Sequence, residues 1–239
     1  MDKVLKVENL VVKYGRLTAL QIGELELIRG ESFGLVGNNG AGKTTFFRAL
    51  LDLIKPQSGD ILIGGKYRSS DDGWKKITGA YLDEGFVIPY LSPEEYFAFV
   101  AKIRKISPAE MEAQLGRFER FFSRKILGKG KYIREHSRGN QKKVGIAAAF
   151  LGNPDLVILD EPFSHLDPSS QFELRNILKS MDRETDVTLL VSSHDLTHIS
   201  AFCKRIAILD NGKIVSDFYK NEQTLEDLQS YFSKGEGFN

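Results

Sequence analysis

Nine consecutive residues carry the strongest chemical signal in this chain, because they match the pattern G-x-x-x-x-G-K-[ST] with one further threonine. In this pattern the glycines let backbone N–H groups turn inward around phosphates, and the helix that follows adds unpaired N–H donors and the positive end of its dipole. The pattern therefore predicts a phosphate loop that binds a polyanionic nucleoside phosphate and Mg2+. The predicted contact residues are Gly37, Asn38, Asn39, Gly40, Ala41, Gly42, Lys43, Thr44 and Thr45.

Two side chains of the phosphate loop have separate predicted roles. Lys43 acts as a point charge on the terminal phosphates, and Thr44 supplies a hydroxyl to Mg2+, which takes only one or two protein oxygens directly. The flanks support this interpretation, because residues 31–36 are predicted to form a short buried strand and residues 44–51 have apolar positions at helical spacing. A strand, a glycine loop and a helix in this order are the context that the pattern requires.

A second candidate site consists of Asp160 and Glu161, which directly follow another apolar run, Leu156–Leu159. Side chains alternate along a strand, so the two carboxylates must point in different directions. Asp160 is predicted to hold the metal through water, and Glu161 to face the γ-phosphate and orient or deprotonate the attacking water. These two acids are the expected partners of the phosphate loop.

With these motifs in place, nearly the whole chain resembles the ATP-binding cassette (ABC) ATPases. Residues 164–167 look like the D-loop of that family, which makes Asp167 a nucleotide-site residue. His194 resembles the switch histidine, which would hydrogen-bond a γ-phosphate oxygen and link it to Glu161. Tyr14 matches the aromatic residue that stacks on adenine. The resemblance implies that ATP and Mg2+ are the cofactors and that the chain is an ATPase.

The signature motif of the family, Leu-Ser-Gly-Gly-Gln, is altered in this chain at residues 136–140. Ser137 is expected to cap a helix and offer a hydroxyl to phosphate, and Gly139 to allow close backbone approach at that helix N-terminus. Arg138 either strengthens a γ-phosphate contact or faces solvent. Asn140 stands where the family has glutamine, and the resemblance makes all four nucleotide-binding residues.

A second departure lies at the Q-loop, where residues 81–84 end in Glu84 instead of glutamine. A carboxylate at this place can still reach Mg2+ or the attacking water, so Glu84 is both a candidate metal ligand and a candidate catalytic residue. Both departures resemble variants in bacterial cassettes that serve two-component (ABC-2 type) exporters. Export is therefore the favoured direction.

The resemblance also implies partners. In the family the signature segment acts on nucleotide held by the opposite subunit, so hydrolysis needs a head-to-tail dimer with two ATP molecules at its interface, either a homodimer or a heterodimer. A separate transmembrane permease would receive the motion, beside Glu84 and the aromatic segment 86–91. No nucleic-acid partner is expected. The alternative is a soluble ABC ATPase acting in DNA repair or on ribosomes, and a third possibility is a nucleotide-binding scaffold without turnover.

The elements that must position these residues begin with a strand-rich third. Residues 5–12 and 25–28 are predicted antiparallel strands, and residues 60–65 are predicted to form a strand that enters a tight turn. Residues 1–8 alternate charged and apolar side chains in the manner of an edge strand. Helical patterns begin at residues 92–95 and persist to about residue 151.

The last third alternates apolar strands with a helix. Leu156–Leu159, residues 188–191 and residues 206–209 are continuous apolar runs, and a predicted helix over residues 168–181 separates the first two. Such runs indicate a parallel sheet covered on both faces. The Asp-Asn-Gly sequence at residues 210–212 predicts a closing hairpin.

Together these patterns predict one α/β domain over residues 1–239. A P-loop NTPase core with a mixed or parallel sheet and an N-terminal antiparallel β-subdomain would occupy residues 1–83 and 152–239, with an α-helical subdomain inserted at residues 84–151. Residues 102–143 contain 13 Lys or Arg against 4 Asp or Glu, so this helical part is basic while the whole chain has a net charge of +1. Those charges lie near an anionic membrane surface, touch nucleotide phosphates, or are simply solvated.

Composition excludes several other classes of protein and site. Cys203 is the only cysteine, which excludes an internal disulfide framework and any multi-cysteine metal site. The start of the chain lacks the long apolar core of a signal peptide, and no stretch approaches the roughly 20 apolar residues of a spanning helix. The expected location is therefore the cytoplasm, peripheral on the cytoplasmic face of a membrane crossed by another chain.

Overall fold

A computed structural model describes residues 2–67 and 72–221. Within those residues ten strands form two sheets and eight α-helices surround them. The strands are β1 (Lys3–Tyr14), β2 (Leu17–Ile28), β3 (Ser32–Val36), β4 (Ser58–Ile63), β5 (Lys66–Tyr67), β6 (Thr78–Tyr81), β7 (Leu156–Leu159), β8 (Thr188–Ser193), β9 (Arg205–Asp210) and β10 (Lys213–Tyr219). The helices are α1 (Lys43–Leu50), α2 (Trp74–Ile77), α3 (Pro93–Arg104), α4 (Pro108–Gly116), α5 (Glu119–Phe122), α6 (Arg138–Ala149), α7 (Pro168–Glu184) and α8 (Leu196–Phe202).

The smaller sheet is antiparallel and has the order β2-β1-β4-β5, as the strand-rich first third predicted. The interpretation of residues 1–8 as an edge strand is wrong, because β1 lies between β2 and β4. The charged residues of β1 pair with neighbours on an open face of the sheet: Lys6 lies opposite Glu26 and contacts both Glu26 and Glu8. Alternating charge therefore marks a strand with one solvated face, whether that strand is interior or at the edge.

The larger sheet has the order β10-β9-β3-β8-β7-β6, and every neighbouring pair except β10 with β9 is parallel. The predicted parallel sheet and the closing hairpin are thus present. Strands β3, β8 and β7 are neighbours, so their carboxyl ends meet at one edge of the sheet. The phosphate loop follows β3, Asp160 follows β7 and His194 follows β8. This topology brings together three segments that are far apart in sequence.

Helices occupy most of the chain between β6 and β7. Ser92 and Ser107 each cap the N-terminus of a helix through a capping box. In this motif the serine hydroxyl accepts the backbone N–H of a glutamate three residues later, and that glutamate's carboxylate accepts the backbone N–H of the serine. Apolar side chains of α5 and α6 join the same buried cluster as β7 and β8. We infer that residues 84–151 form a helical subdomain within one domain. In the described ranges, the helices are too short or too polar to cross a bilayer.

Candidate active site

The phosphate loop depends on glycines where a side chain would collide with the backbone. A Cβ on Gly37 would lie 2.3 Å from the carbonyl oxygen of Leu209, and one on Gly42 would lie 3.0 Å from that of Ala19. Gly42 also has φ +110° and Gly40 has φ +86°, which L side chains rarely adopt. The glycine positions that the sequence pattern requires are thus explained by packing against β9 and β2 and by backbone conformation.

Helix α1 begins directly after the loop and carries no side-chain cap at its N-terminus. Its first N–H groups therefore stay available to an anion. The amine of Lys43 is buried and folds back over the loop, where it donates to the carbonyls of Gly37 at 2.6 Å and Asn38 at 3.3 Å. A cavity above these groups is lined by both the loop and Glu161, with contributions from Asn38, Asn39, Gly40, Gly42, Lys43, Thr44 and Thr45.

Asp160 is the centre of a short hydrogen-bond chain. The Thr44 hydroxyl donates to Asp160 Oδ2 at 2.5 Å, and the Ser192 hydroxyl donates to Asp160 Oδ1. Asp160 is only 4% exposed, and this burial raises the pKa of its carboxyl, while the hydrogen bonds from Ser192 and Thr44 act in the opposite direction. A buried carboxylate of this kind gains most from a cation placed beside it.

Glu161 joins the phosphate loop to the end of β8. Its Oε1 lies 3.2 Å from Lys43 Nζ, and its Oε2 lies 2.8 Å from His194 Nδ1. The backbone N–H of Glu161 donates to the Ser192 hydroxyl at 2.9 Å. Its φ of +45° is a left-handed conformation that is unfavourable for a residue with a side chain. The carboxylate therefore lies between the loop lysine and the histidine.

These residues fit a nucleoside triphosphate with its Mg2+. The N-terminus of α1 has no side-chain cap, Gly37 and Gly42 lie where a Cβ would be crowded, and the Lys43 amine bonds the loop carbonyls. Thr44 and Asp160 offer hard oxygen atoms of the kind that Mg2+ favours. When bound, Mg2+ neutralises negative charge on the phosphate oxygens. Glu161 holds its carboxylate beside that site, in a position to orient an attacking water and accept its proton.

Tyr14 lies at the end of β1, next to the turn into β2, and the residue is 49% exposed. The same hairpin contacts the phosphate loop, because Leu20 and Ala19 of β2 border Gly42. An exposed ring on an element that touches the loop suits stacking against a base. Ala41 and Thr45 complete the loop: the N–H of Ala41 donates to the Asn38 carbonyl, and Thr45 belongs to the first turn of α1.

The altered signature lies at the start of α6. Ser137 is the helix cap, since its hydroxyl accepts the N–H of Asn140 at 3.4 Å, and Arg138 is exposed. Gly139 packs against the chain's own D-loop, where a Cβ would lie 2.8 Å from the His165 carbonyl oxygen. The predicted capping role of Ser137 is confirmed, and the contact of Gly139 with its own chain is an addition to the predicted role.

Glu84 and Asp167 have different surroundings. Glu84 begins a 3-10 turn, Glu84–Phe86, after β6, and its side chain lies outside the described part of the structure. Asp167 caps α7, where its carboxylate accepts from the Ser170 N–H and from the hydroxyls of Ser169 and Ser170. These bonds hold the pKa of Asp167 well below its usual range. Within this chain Asp167 therefore has a structural task besides any nucleotide contact.

Sequence reasoning missed three polar residues at the site. Ser192 connects Asp160 to the backbone of Glu161, and Lys142 and Ser164 both bond the Glu161 carbonyl. Ser192 had a usable signal, because it lies at the carboxyl end of an apolar strand just before His194. Lys142 had none, since a lysine in a basic helix is normally solvated.

Comparison with known proteins agrees with this geometry. The family described as ABC transporter matches residues 20–164. The bacitracin transport ATP-binding protein BcrA of Enterococcus faecalis is 31% identical, over 91% of this chain and 70% of its own. An uncharacterized ABC transporter ATP-binding protein of Methanocaldococcus jannaschii, MJ1023, is 36% identical over 90% and 77%. A solved structure described as the ATP binding subunit of an ABC transporter has a TM-score of 0.80 and 27% identity, and covers 96% of this chain and 93% of that one.

The family match spans more than half of the chain, and the relatives align along nearly all of it. The matched segment runs from β2 through the phosphate loop, the signature helix and the paired carboxylates to Ser164. The fold and the phosphate loop of this chain therefore agree with the family match. The chain belongs to the ABC transporter family and is one of its ATP-binding, ATP-hydrolysing subunits.

Proposed function

We propose that this ATPase subunit powers an exporter, as a head-to-tail dimer bound to the cytoplasmic face of a membrane by a separate permease chain. ABC ATP-binding subunits dimerise and act with such a permease. The arrangement that supports the proposal best is the convergence of Lys43, Glu161 and His194 beside the Thr44–Asp160 pair. Export as the direction is supported by the resemblance of the altered signature and of Glu84 to two-component exporters.

Each residue in this arrangement has a distinct proposed role. Lys43 and the N-terminus of α1 bind the terminal phosphates, and Thr44 and Asp160 hold Mg2+. Glu161 orients the attacking water and takes its proton, while His194 fixes the carboxylate through the 2.8 Å contact. Glu84 remains a candidate ligand of Mg2+ or of the water, as its sequence position suggests.

The signature residues are proposed to act on the partner subunit's nucleotide. Ser137 and the exposed Arg138 lie at the N-terminus of α6, which suits a phosphate contributed from outside the chain. ATP would then bridge two subunits and close the dimer, and hydrolysis would let it reopen. The non-transport alternative, in DNA repair or on ribosomes, is not favoured by relatives that are named as transport proteins.

Substitution of Glu161 by glutamine tests the catalytic proposal. We expect Glu161→Gln to bind ATP and to form an ATP-dependent dimer by light scattering, while its hydrolysis rate falls about 10²- to 10⁴-fold, the usual contribution of a general base. Glu112→Gln, which makes the same change at an exposed position of α4, should keep the wild-type rate. Near wild-type turnover by Glu161→Gln would exclude the proposed role.

The transport proposal is tested separately by capture from detergent-solubilised membranes. The tagged chain should recover a polytopic membrane protein, and that complex in sealed vesicles should move its substrate away from the side that carries the ATPase. Recovery of DNA, RNA or ribosomes instead would support the non-transport alternative.

A further inference from the structure

A buried lysine of the signature helix reaches the backbone of the proposed catalytic residue. Lys142 lies on the second turn of α6 and is only 5% exposed. Its amine donates to the carbonyl oxygen of Glu161 at 2.9 Å and to the hydroxyl of Ser164 at 2.6 Å. Lysine is rarely buried unless its amine is engaged, and these two acceptors are among the groups that engage this amine.

The carbonyl that Lys142 contacts belongs to a strained residue. Glu161 has φ +45°, a left-handed conformation that residues with a Cβ rarely adopt. The same carbonyl also accepts from the Ser164 N–H at 3.2 Å and hydroxyl at 2.8 Å. The Glu161 N–H is bonded to Ser192 on the other side. Lys142 is therefore part of a set of bonds that maintains the unusual backbone conformation.

A second contact joins α6 to the same loop. Gly139, one turn before Lys142, lies so close to the His165 carbonyl that a Cβ there would be 2.8 Å from it. His165 is itself left-handed, with φ +61°. The start of the signature helix thus packs against both ends of the segment from Glu161 to His165, through a side chain at one end and through bare backbone at the other.

We propose that Lys142 is a positioning residue for Glu161, and that through it the orientation of the catalytic carboxylate depends on the placement of the signature helix in the same chain. The proposal rests on the function proposed above for Glu161. Because that helix meets the partner subunit's nucleotide in the proposed dimer, occupancy of one site would be transmitted to the catalytic group of the other.

The chemistry of the side chain makes the proposal specific. The amine has several donors on a long stem, which lets it bond both the Glu161 carbonyl and the Ser164 hydroxyl from a neighbouring element. Arginine keeps donors at similar reach, whereas methionine keeps an unbranched buried chain but cannot donate. Lys143 gives a matched control, because it follows on the same helix, is equally buried and lies over the ring of Phe121.

Kinetics of the full-length chain with MgATP provide the test. Lys142→Met is expected to lower kcat about 10- to 100-fold, the range for a small misplacement of a catalytic group, with KM and the ATP dissociation constant within about twofold of wild type. Lys142→Arg should recover most of kcat, and Lys143→Met should stay within about twofold of wild type. Ser164→Ala, which removes one donor to the same carbonyl, should lower kcat less, and it remains informative if Lys142→Met does not fold.

A double variant separates positioning from a general structural effect. If Lys142 acts through the carboxylate, then adding Lys142→Met to Glu161→Gln should leave the residual single-turnover rate unchanged within about twofold. Wild-type kcat in a folded Lys142→Met variant would overturn the proposal, and so would wild-type kcat in Ser164→Ala if Lys142→Met does not fold. The proposal would also be overturned if Lys143→Met lowered kcat as much as Lys142→Met does. It would be overturned as well if adding Lys142→Met to Glu161→Gln lowered the single-turnover rate by the same factor as in the wild-type background. Activity retained by Glu161→Gln alone would instead refute the proposed role of Glu161.

Discussion

At the scale of single residues, the site is a set of charges that face one another across three strand ends. Lys43 approaches Glu161, Glu161 approaches His194, and Thr44 bonds Asp160. Each of these groups is positioned by contact with another polar group. This mutual positioning is what general-base catalysis and phosphate binding both require, because neither tolerates large displacements.

Tyr14 gives a prediction about nucleotide affinity. If its exposed ring stacks on the base, Tyr14→Ala should weaken ATP binding by about 1–3 kcal/mol, the scale of one base–aromatic stack. Isothermal titration calorimetry with ATP would measure this loss. Tyr14→Phe keeps the ring and should bind within about twofold of wild type. Equal affinity of the alanine variant and wild type would show that the tyrosine is only structural.

The sequence alone predicted those site residues that belong to a motif with a fixed spacing. Lys43 and Thr44 follow from one contiguous pattern, and the paired acids from a strand end. Ser192 and Lys142 were not predictable in the same way, because their roles come from neighbours 31 residues and 19 residues away in sequence. The sequence around a serine or a lysine does not indicate that its side chain will bond the backbone of a proposed catalytic residue.

At the scale of elements, the phosphate loop is held by its contact with β9. Gly37→Ala should destabilise the chain by about 1–3 kcal/mol, because its Cβ would lie 2.3 Å from the Leu209 carbonyl oxygen and the backbone must move. It should also lose ATP binding. Gly23→Ala, in β2 with open space around the added Cβ, should change neither property. Urea unfolding and ATP titration measure both effects, and equal behaviour of the two variants would contradict the packing argument.

Helix α7 depends on its cap, Asp167. Asp167→Ala should lower the free energy of unfolding by about 0.5–2 kcal/mol, while Asp167→Asn keeps an acceptor and should lose less. Since hydrogen bonds from Ser169 and Ser170 depress the pKa of Asp167, the contribution of its charge is fully present above the ordinary pKa of about 3.9. That contribution is lost as pH falls toward the depressed value.

Urea unfolding between pH 7 and pH 3 measures the Asp167 effect. The difference between wild type and Asp167→Ala should be constant at neutral pH and narrow only in the acid part of the range. An alanine variant as stable as wild type at pH 7 would show that the cap does not contribute.

Continuous apolar runs and long helical patterns were predictable as elements, and short segments of mixed composition were not. The apolar runs of β7, β8 and β9 and the helix α7 are present at nearly the expected residues. The short α2 and β6 were not predicted, because each has four residues of mixed composition, which show neither a period nor the continuous apolar run of β7. The error over β1 has another cause, since the place of a strand in its sheet is set by pairing partners that local alternation does not reveal.

At the scale of the whole molecule, one chain carries two proposed functional surfaces. The phosphate loop and the paired carboxylates form one surface, and the start of α6 with its exposed Arg138 forms another. Gly139 and Lys142 connect the second surface to the first through the D-loop. This arrangement suits the proposed head-to-tail dimer, in which each ATP lies between the loop of one subunit and the signature helix of the other.

The most direct test of this shared site mixes two variants that are inactive alone. Glu161→Gln disables the catalytic half of a site, and Ser137→Arg blocks the signature half with an exposed bulky side chain. Only a mixed dimer contains one intact site, so equal mixing should restore about a quarter of the wild-type hydrolysis rate under statistical association. A mixture as inactive as its components would contradict the shared site, because it would place the catalytic and signature groups of each site on the same chain.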